Sequence, residues 1–289
     1  MDMQNRIERS LEKALSHASS ASQPPKIGKA MRHAVFSGGA RVRPRLVLAV
    51  AGACGDANPA AADAAAAAIE MLHCASLVHD DMPCFDNADM RRGQPSVHAK
   101  FGEPLALLTG DALIILAFET IARECALTPE LTTPLISIVA RAVGTPHGIV
   151  AGQAWEAEEN IPLQEYHRAK TASLFTGACA AGAVAAGQDP QRWMAVGDAL
   201  GAAYQVADDL RDVAANPDEM GKPQGQDALR GKPNCVHEMG IEKTIEHLRR
   251  LVGGAVQAIP DCPGAPVLRQ LIEGEANRLV PKSLTQNAA

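Results

Sequence analysis

The sequence predicts an all-α fold, a single large helical bundle with one central cavity. Hydrophobic residues make up 47% of the 289 positions but aromatic residues only 3%, so the core is built from Ala, Leu, Val and Ile, which suits close helix-on-helix packing. No segment alternates apolar and polar residues between turn signals, so no strand is expected. Apolar positions recur instead at helical spacing. A chain this long can bury a substantial core, and residues 1–289 read as one domain without a linker or short repeat.

Ile7, Leu11 and Leu15 form one apolar stripe on a charged first helix. Residues 19–25 break it, and a second helix carrying Ile27, Met31 and Val35 runs into Ser37-Gly38-Gly39-Ala40-Arg41-Val42-Arg43-Pro44. The Gly pair ends that helix and Pro44 suits the first turn of the next, which places Arg41 and Arg43 at a helix start, where they offer an anion site. An Ala-rich helix follows, carrying His73 and ending at His79-Asp80-Asp81. His73 lies seven residues before Asp80, two turns back on nearly the same face. Residues 93–102 read as a loop. Leu105 to Glu124 is a buried helix interrupted only by Thr109-Gly110-Asp111, and Ile136 to Val150 continues the pattern, with Pro146 marking a kink or a boundary.

Gln153 sits at a polar helix end that also holds Glu156, Glu158 and Glu159. Lys170-Thr171 opens a helix of small residues that permits close approach, and its lysine is expected to meet an anion. Arg192 to Ala214 carries Gln205 and the acidic run Asp208-Asp209-Leu210-Arg211-Asp212. Residues 216–233, with Lys222 and Lys232, read as a lid loop. Two amphipathic helices, about 236–258 and 264–280, finish the chain.

The net charge of -6 argues against nucleic acid or an anionic membrane as the main partner. Seven scattered Cys without a Cys-x-x-Cys pair suit reduced thiols in a cytoplasmic protein. No leader pattern is present, and no uninterrupted apolar run is expected to span or stably insert into a bilayer.

The chemistry lies in two acidic clusters that each follow an apolar helix: Asp80, Asp81 and Asp86 with Arg91 and Arg92 behind them, and Asp208, Asp209 and Asp212. Carboxylates so close repel one another unless a cation sits among them. Asp oxygens suit Mg²⁺, which keeps waters and shares phosphate oxygens, whereas zinc would call for His and Cys at ligand spacing. Asp208 and Asp212 share a helix face and Asp209 is rotated about 100° from Asp208. Asp86 lies beyond Pro83, so the chain must bulge for it to rejoin Asp80. The basic residues Arg41, Arg43, Arg91, Arg92, Lys170, Lys222 and Lys232 near these clusters are too many for one carboxylate substrate and suit two diphosphates, with a hydrocarbon tail in an apolar tunnel.

Asp80-Asp81-x-x-x-x-Asp86 with Arg91-Arg92-Gly93, and Gln205-x-x-Asp208-Asp209-x-x-Asp212, resemble the two aspartate-rich motifs of the trans-prenyl diphosphate synthases. Gly38-Gly39-x-Arg41-x-Arg43-Pro44, Gln153, Lys170-Thr171 and Gly221-Lys222 are similar in order and spacing. The resemblance covers about residues 38–236 and is greatest to bacterial forms serving carotenoid and photosynthetic pigments. It implies a homodimer with the isoprenoid synthase fold. It also implies a head-to-tail condensation of isopentenyl diphosphate with dimethylallyl, geranyl or farnesyl diphosphate. Up to three Mg²⁺ ions would be held by Asp80, Asp86 and Asp208, with Asp81, Asp209 and Asp212 in support. Arg91, Lys170 and Lys222 would complete the allylic clamp, Arg43, Arg92 and His73 would hold isopentenyl diphosphate, and Gln205 and Thr171 would screen the allylic cation.

Three positions depart from the family: Ala40 where Lys is usual, which removes a cation that Arg41 and Arg43 would have to replace, Glu156 where Asp is common, and Asn234 where Ser or Thr is common. Ala75 and Ser76 occupy the tunnel floor, where an aromatic would stop growth at C15. Their small size favours C20, geranylgeranyl diphosphate, with Leu72, Met71 and Phe118 as deeper stops. The competing readings are a farnesyl diphosphate synthase, a class I terpene cyclase and a non-catalytic partner subunit.

Overall fold

The computed structural model describes residues 2–20, 22–214 and 234–279. Lys222 and Lys232, with the loop that carries them, lie outside the described residues. The chain divides into two compact units, residues 1–139 with 181–188, and residues 140–180 with 189–289.

In the first unit, helices α1 (Met3–His17), α2 (Pro25–Phe36), α3 (Val42–Ala53) and α4 (Pro59–Asp80) follow in order. Asp2 caps α1 by accepting from the Gln4 amide, and the expected stripe of Ile7, Leu11 and Leu15 is buried. Helix α4 is the centre of this unit. Its run from Ala64 to Leu72 is buried on every side, which an Ala-rich sequence allows because small side chains let neighbouring backbones approach. Helix α5 (Val97–Phe101) leads into α6 (Glu103–Glu124), which lies along α4. The helix runs unbroken through Thr109-Gly110-Asp111, and the glycine there has a packing role. The His79 ring lies on Gly110, where an added Cβ would stand 2.0 Å from Nε2, and Nε2 contacts the Leu107 carbonyl at 3.3 Å. By length and composition both α4 and α6 are apolar enough to cross a membrane, contrary to expectation. In α4 that window is 78% buried within the protein, so its hydropathy serves the core, whereas in α6 it is 44% buried.

Two short strands, Met90–Arg91 (β1) and Gln94–Pro95 (β2), pair antiparallel where only a loop was expected. A two-residue strand is too short to show periodicity. Its signal was the Arg92-Gly93 turn, with φ of 53° and 72°, the positive-φ pair that a tight hairpin of this hand requires.

Helix α7 (Pro129–Val143) begins in the first unit, and α8 (Ile149–Ala154), a single 3₁₀ turn (Trp155–Ala157) and α9 (Leu163–His167) follow in the second. A π-helical turn, Arg168–Ala172, then leads into α10 (Ser173–Ala185). Helices α11 (Gln191–Ala214), α12 (Cys235–Met239), α13 (Ile241–Gln257) and α14 (Ala265–Leu279) complete the chain. Small residues set the packing here as expected. A Cβ on Gly152 would meet the Lys170 backbone at 2.4 Å, one on Gly197 the Thr176 backbone at 2.4 Å, and one on Gly201 the Ala172 backbone at 2.3 Å. Backbone cannot rotate away as a side chain can. Gly201→Ala is therefore expected to separate α11 from the π turn and to destabilise the protein by about 1–3 kcal/mol. A lowered midpoint in urea denaturation would register this, and an unchanged midpoint would show that the two elements are free to part.

Candidate active site

In the first unit the site grows from the end of α4. Asp80 is its last residue and Asp81 its C-cap, and the following loop folds back rather than leading away. The Asp86 amide donates to the Asp80 carbonyl at 2.9 Å, and the Ala88 amide to the Asp81 carbonyl at 3.0 Å. This is the bulge that brings Asp86 back to Asp80. The two aspartates of the pair then diverge. Asp81 is only 3% exposed, and Arg91 Nε contacts both its carboxylate oxygens, at 2.9 and 3.1 Å, with Nη2 adding a further bond. Asp80 Oδ2 is 3.6 Å from the same guanidinium. Burial opposes the charge on Arg91, but the bonds to Asp81 and the nearby charges of Asp80 and Asp86 hold its guanidinium above the usual value.

Two turns back on α4, His73 Nε2 lies 3.4 Å from Arg43 Nη1 and 3.5 Å from Arg92 Nη2. Arg92, at the hairpin turn, also donates to the Gly38 carbonyl and lies over Gly39, where a Cβ would come within 2.6 Å of Cζ. Enclosure first, and then the charges of Arg43 and Arg92, hold the His73 imidazole well below its ordinary pKa. His73 is therefore neutral, and a nitrogen facing two guanidinium donors serves as an acceptor.

Arg41 departs from expectation. It is 4% exposed and turned away from any ligand, with Nη1 on Glu70 at 2.7 Å, Nε on Glu8 at 2.9 Å and Nη2 on the Val35 carbonyl at 2.7 Å. Burial works against its charge, yet the bond to Glu8 and the charge of Glu70 raise its pKa further. A guanidinium bonded in this way does not compensate for Ala40, which is exposed.

In the second unit α11 presents Asp208 and Asp212 on one face and turns Asp209 inward. Asp208 is exposed and pairs with Arg211 at 3.2 Å. Asp212 Oδ2 is buried without a hydrogen-bond partner among the described residues. Asp209, expected to support the metal, is 0% exposed and occupied by the protein. It accepts from Gln205 Nε2 at 3.0 Å and from the Cys235 amide at 2.9 Å. Burial and then the Asp209 charge push the Cys235 thiol up to about 12. Thr171 donates to Gln205 Oε1 at 2.8 Å, so Thr171, Gln205 and Asp209 form one chain of bonds. Asn234 caps α12, accepting from the Val236 amide at 2.9 Å, a task that suits Asn as well as Ser or Thr.

Lys170, on the π turn, meets an anion as expected, but that anion belongs to the protein. Glu156 Oε1 accepts from Lys170 Nζ and from the Tyr166 hydroxyl, each at 2.5 Å, and Glu156 Oε2 accepts from Gln153 Nε2 at 3.0 Å. Glu156 and Tyr166 thus organise this part of the site. From sequence Glu156 is only one of the glutamates at a polar helix end, although its spacing of three from Gln153 is a signal for their contact.

Each unit by itself offers hard carboxylate oxygens of the kind Mg²⁺ takes, Asp80 and Asp86 in the first and Asp208 and Asp212 in the second. Among the described residues no three His, Cys, Asp or Glu side chains converge to hold a metal. Such a set suits an ion bound through one or two carboxylates together with phosphate oxygens and water.

The chain has clear relatives. The polyprenyl synthetase family profile matches residues 24–260. The geranylgeranyl diphosphate synthase of Cereibacter sphaeroides is 47% identical over 281 residues, covering 97% of this chain and 98% of the relative. A Helicobacter pylori geranyltransferase solved with magnesium and isoprenyl diphosphate superposes with a TM-score of 0.82 at 30% identity, covering 96% of each chain. A Zymomonas mobilis FPP/GFPP synthase matches with a TM-score of 0.79 at 31% identity, over 95% of this chain and 98% of that one.

The state of His73 has a measurable sign. In the unfolded chain His titrates near pH 6.5. Because the folded-state pKa is lowered, acidification protonates the unfolded chain first. Stability is expected to fall below about pH 6.5 by up to about 1.4 kcal/mol per pH unit from this group. His73→Gln should flatten that part of the stability profile in urea titrations at pH 7.5 and 5.5. Equal slopes in the two proteins would show His73 to be charged in the fold.

Proposed function

The chain belongs to the polyprenyl synthetase family and is a trans-prenyltransferase, and from that premise we propose that it condenses isopentenyl diphosphate with allylic diphosphates to give geranylgeranyl diphosphate. The observation that carries this reading lies in the first unit, where α4 holds two different anion-handling groups about 10 Å apart along its axis. Its end presents carboxylates, which approach a diphosphate only through a cation. His73, two turns back, gathers the guanidiniums of Arg43 and Arg92, which approach a diphosphate directly. One helix therefore accommodates two diphosphates with different chemistry, as a condensation of two such substrates requires.

Asp80, Asp86, Asp208 and Asp212 would hold Mg²⁺, as would be fitting for a relative of the magnesium-bound Helicobacter pylori protein. The metal, when bound, neutralises diphosphate charge and makes the group a better leaving group. Arg91 stands beside Asp80 and Asp86 and offers a further positive charge to the allylic diphosphate. Lys170 would exchange its bond to Glu156 for a phosphate oxygen, and Lys222 would add a cation. Arg43 and Arg92 hold the isopentenyl diphosphate so that its double bond meets the allylic carbon. The allylic C–O bond breaks, a new C–C bond forms, and a proton lost to the released diphosphate restores the double bond. Thr171 and Gln205 present oxygen dipoles that screen the allylic cation.

The family match runs through both compact units, which supports one prenyltransferase domain. Leu107, Leu108 and Ile115 are exposed along α6, which suits a homodimer. Seven free thiols suit a cytoplasmic, reducing compartment. The C20 reading rests on the small residues Ala75 and Ser76 at the positions taken as the tunnel floor on α4. Ser76 is half-buried, with its hydroxyl on the His73 carbonyl, whereas Ala75 is 1% exposed, so Ser76 is the less enclosed of the two for a larger side chain. Phe118 is half-buried on α6 and Leu72 and Met71 are buried deeper on α4.

Purified protein incubated with Mg²⁺, isopentenyl diphosphate and each allylic primer in turn is expected to accumulate C20 diphosphate. A C15 end product would identify a farnesyl diphosphate synthase, and no elongation would refute the reading. Ser76→Phe is expected to move the product toward C15, and an unaltered product length would place the floor elsewhere.

A further inference from the structure

We propose that Arg41 serves the condensation without touching substrate: with Glu8 and Glu70 it forms a buried clamp that positions Arg43 and Arg92 for the second diphosphate. The inference rests on the isopentenyl site assigned above to those two arginines.

Arg41 has a left-handed backbone, φ 51°, at the junction between the Gly38-Gly39-Ala40 turn and α3, and its carbonyl accepts from the Arg45 amide at 3.1 Å to open that helix. A non-glycine residue holds such a conformation only where its surroundings fix it. Here they do so through the side chain: Glu70 on α4, Glu8 on α1 and the Val35 carbonyl at the end of α2 receive its three guanidinium nitrogens. The start of α3, and Arg43 in its first turn, are thereby fixed relative to α4.

The same turn touches Arg92 on its other side, through the Gly38 carbonyl and the open face of Gly39. Glu70 and His73 are three residues apart on α4, so they project from neighbouring positions on that helix. One receives the buried arginine and the other faces the two ligand-directed arginines. The turn is thus held between an internal guanidinium and an external one, and movement of the first shifts the support of the second. Glu8 also lies outside the residues matched by the family profile, so the clamp joins α1 to the site.

Glu8→Gln tests this, because the Glu8 side chain is 34% exposed and the substitution preserves its shape. The KM for isopentenyl diphosphate is expected to rise roughly five- to tenfold, with kcat and the allylic KM within about twofold of the parent. Isopentenyl diphosphate alone, titrated calorimetrically without Mg²⁺ or primer, should bind correspondingly more weakly. Arg41→Lys, which keeps the charge but loses the planar fork, should show the same split, and Glu8→Asp should recover part of the loss. An unchanged isopentenyl KM in a folded, active Glu8→Gln protein, or equal losses in both substrates and kcat, would overturn the clamp. An inactive parent protein would instead refute the functional reading on which it rests.

Discussion

Helix α4 must be buried along most of its length and yet end in carboxylates, and much of the first unit follows from that conflict. Ala64 to Leu72 admit no water, so the polar groups that α4 carries have to be neutralised one by one by neighbouring elements. Glu70, 2% exposed, receives Arg41, and His73 receives Arg43 and Arg92. Asp81 receives Arg91. Each partner comes from a segment whose backbone is bent to deliver it: Arg41 and Arg92 both have positive φ, and the turn at Arg92-Gly93 is tight enough to carry one arginine to Asp81 and the next to His73. Burial of a helix therefore dictates the shape of two loops.

Adjacent aspartates on a helix cannot do the same work, because consecutive side chains point about 100° apart. In both clusters the second of the pair is turned inward. Asp81 is bonded to Arg91, and Asp209 to Gln205 and the Cys235 amide. Their neighbours Asp80 and Asp208 keep an outward or half-buried position, and Asp86 and Asp212 join them through a folded loop in one case and a helical repeat in the other. The inward aspartate anchors the element that bears the motif, and on the proposed reading the outward pair would take the cation. An acidic run that looks uniform in one dimension is thus divided between structure and chemistry.

How much of this the sequence disclosed depended on whether the signal was local. The stripe on α1, the extents of α4 and α6, and the shared face of Asp208 and Asp212 follow from helical periodicity and were legible. The hairpin at Met90–Pro95 was too short to have a period. The direction of Arg41 was not legible at all, since a basic residue after two glycines looks the same whether it faces a ligand or Glu8, which is 33 positions away in the chain. The bond between Lys170 and Glu156 likewise joins residues 14 positions apart on different elements. Charge and spacing identified which residues carry chemistry, but the partner that claims each one is set by tertiary packing.

That distinction bears on how cations are counted. Seven arginines and lysines near the acidic clusters suggested a surplus for two diphosphates. In the structure Arg41 is bonded to two glutamates and Arg91 to Asp81, Lys170 is held by Glu156, and His73 adds no charge. Of the described cations, Arg43 and Arg92 remain the pair gathered at a single neutral acceptor. On the proposed reading, binding of the second substrate would depend less on net positive charge than on holding two guanidiniums at a fixed separation. A neutral imidazole does this better than a cationic one, because it attracts both forks where an imidazolium would repel them. The low basicity of His73, set first by its enclosure and then by the charges of Arg43 and Arg92, would on that reading be a condition for the site to form.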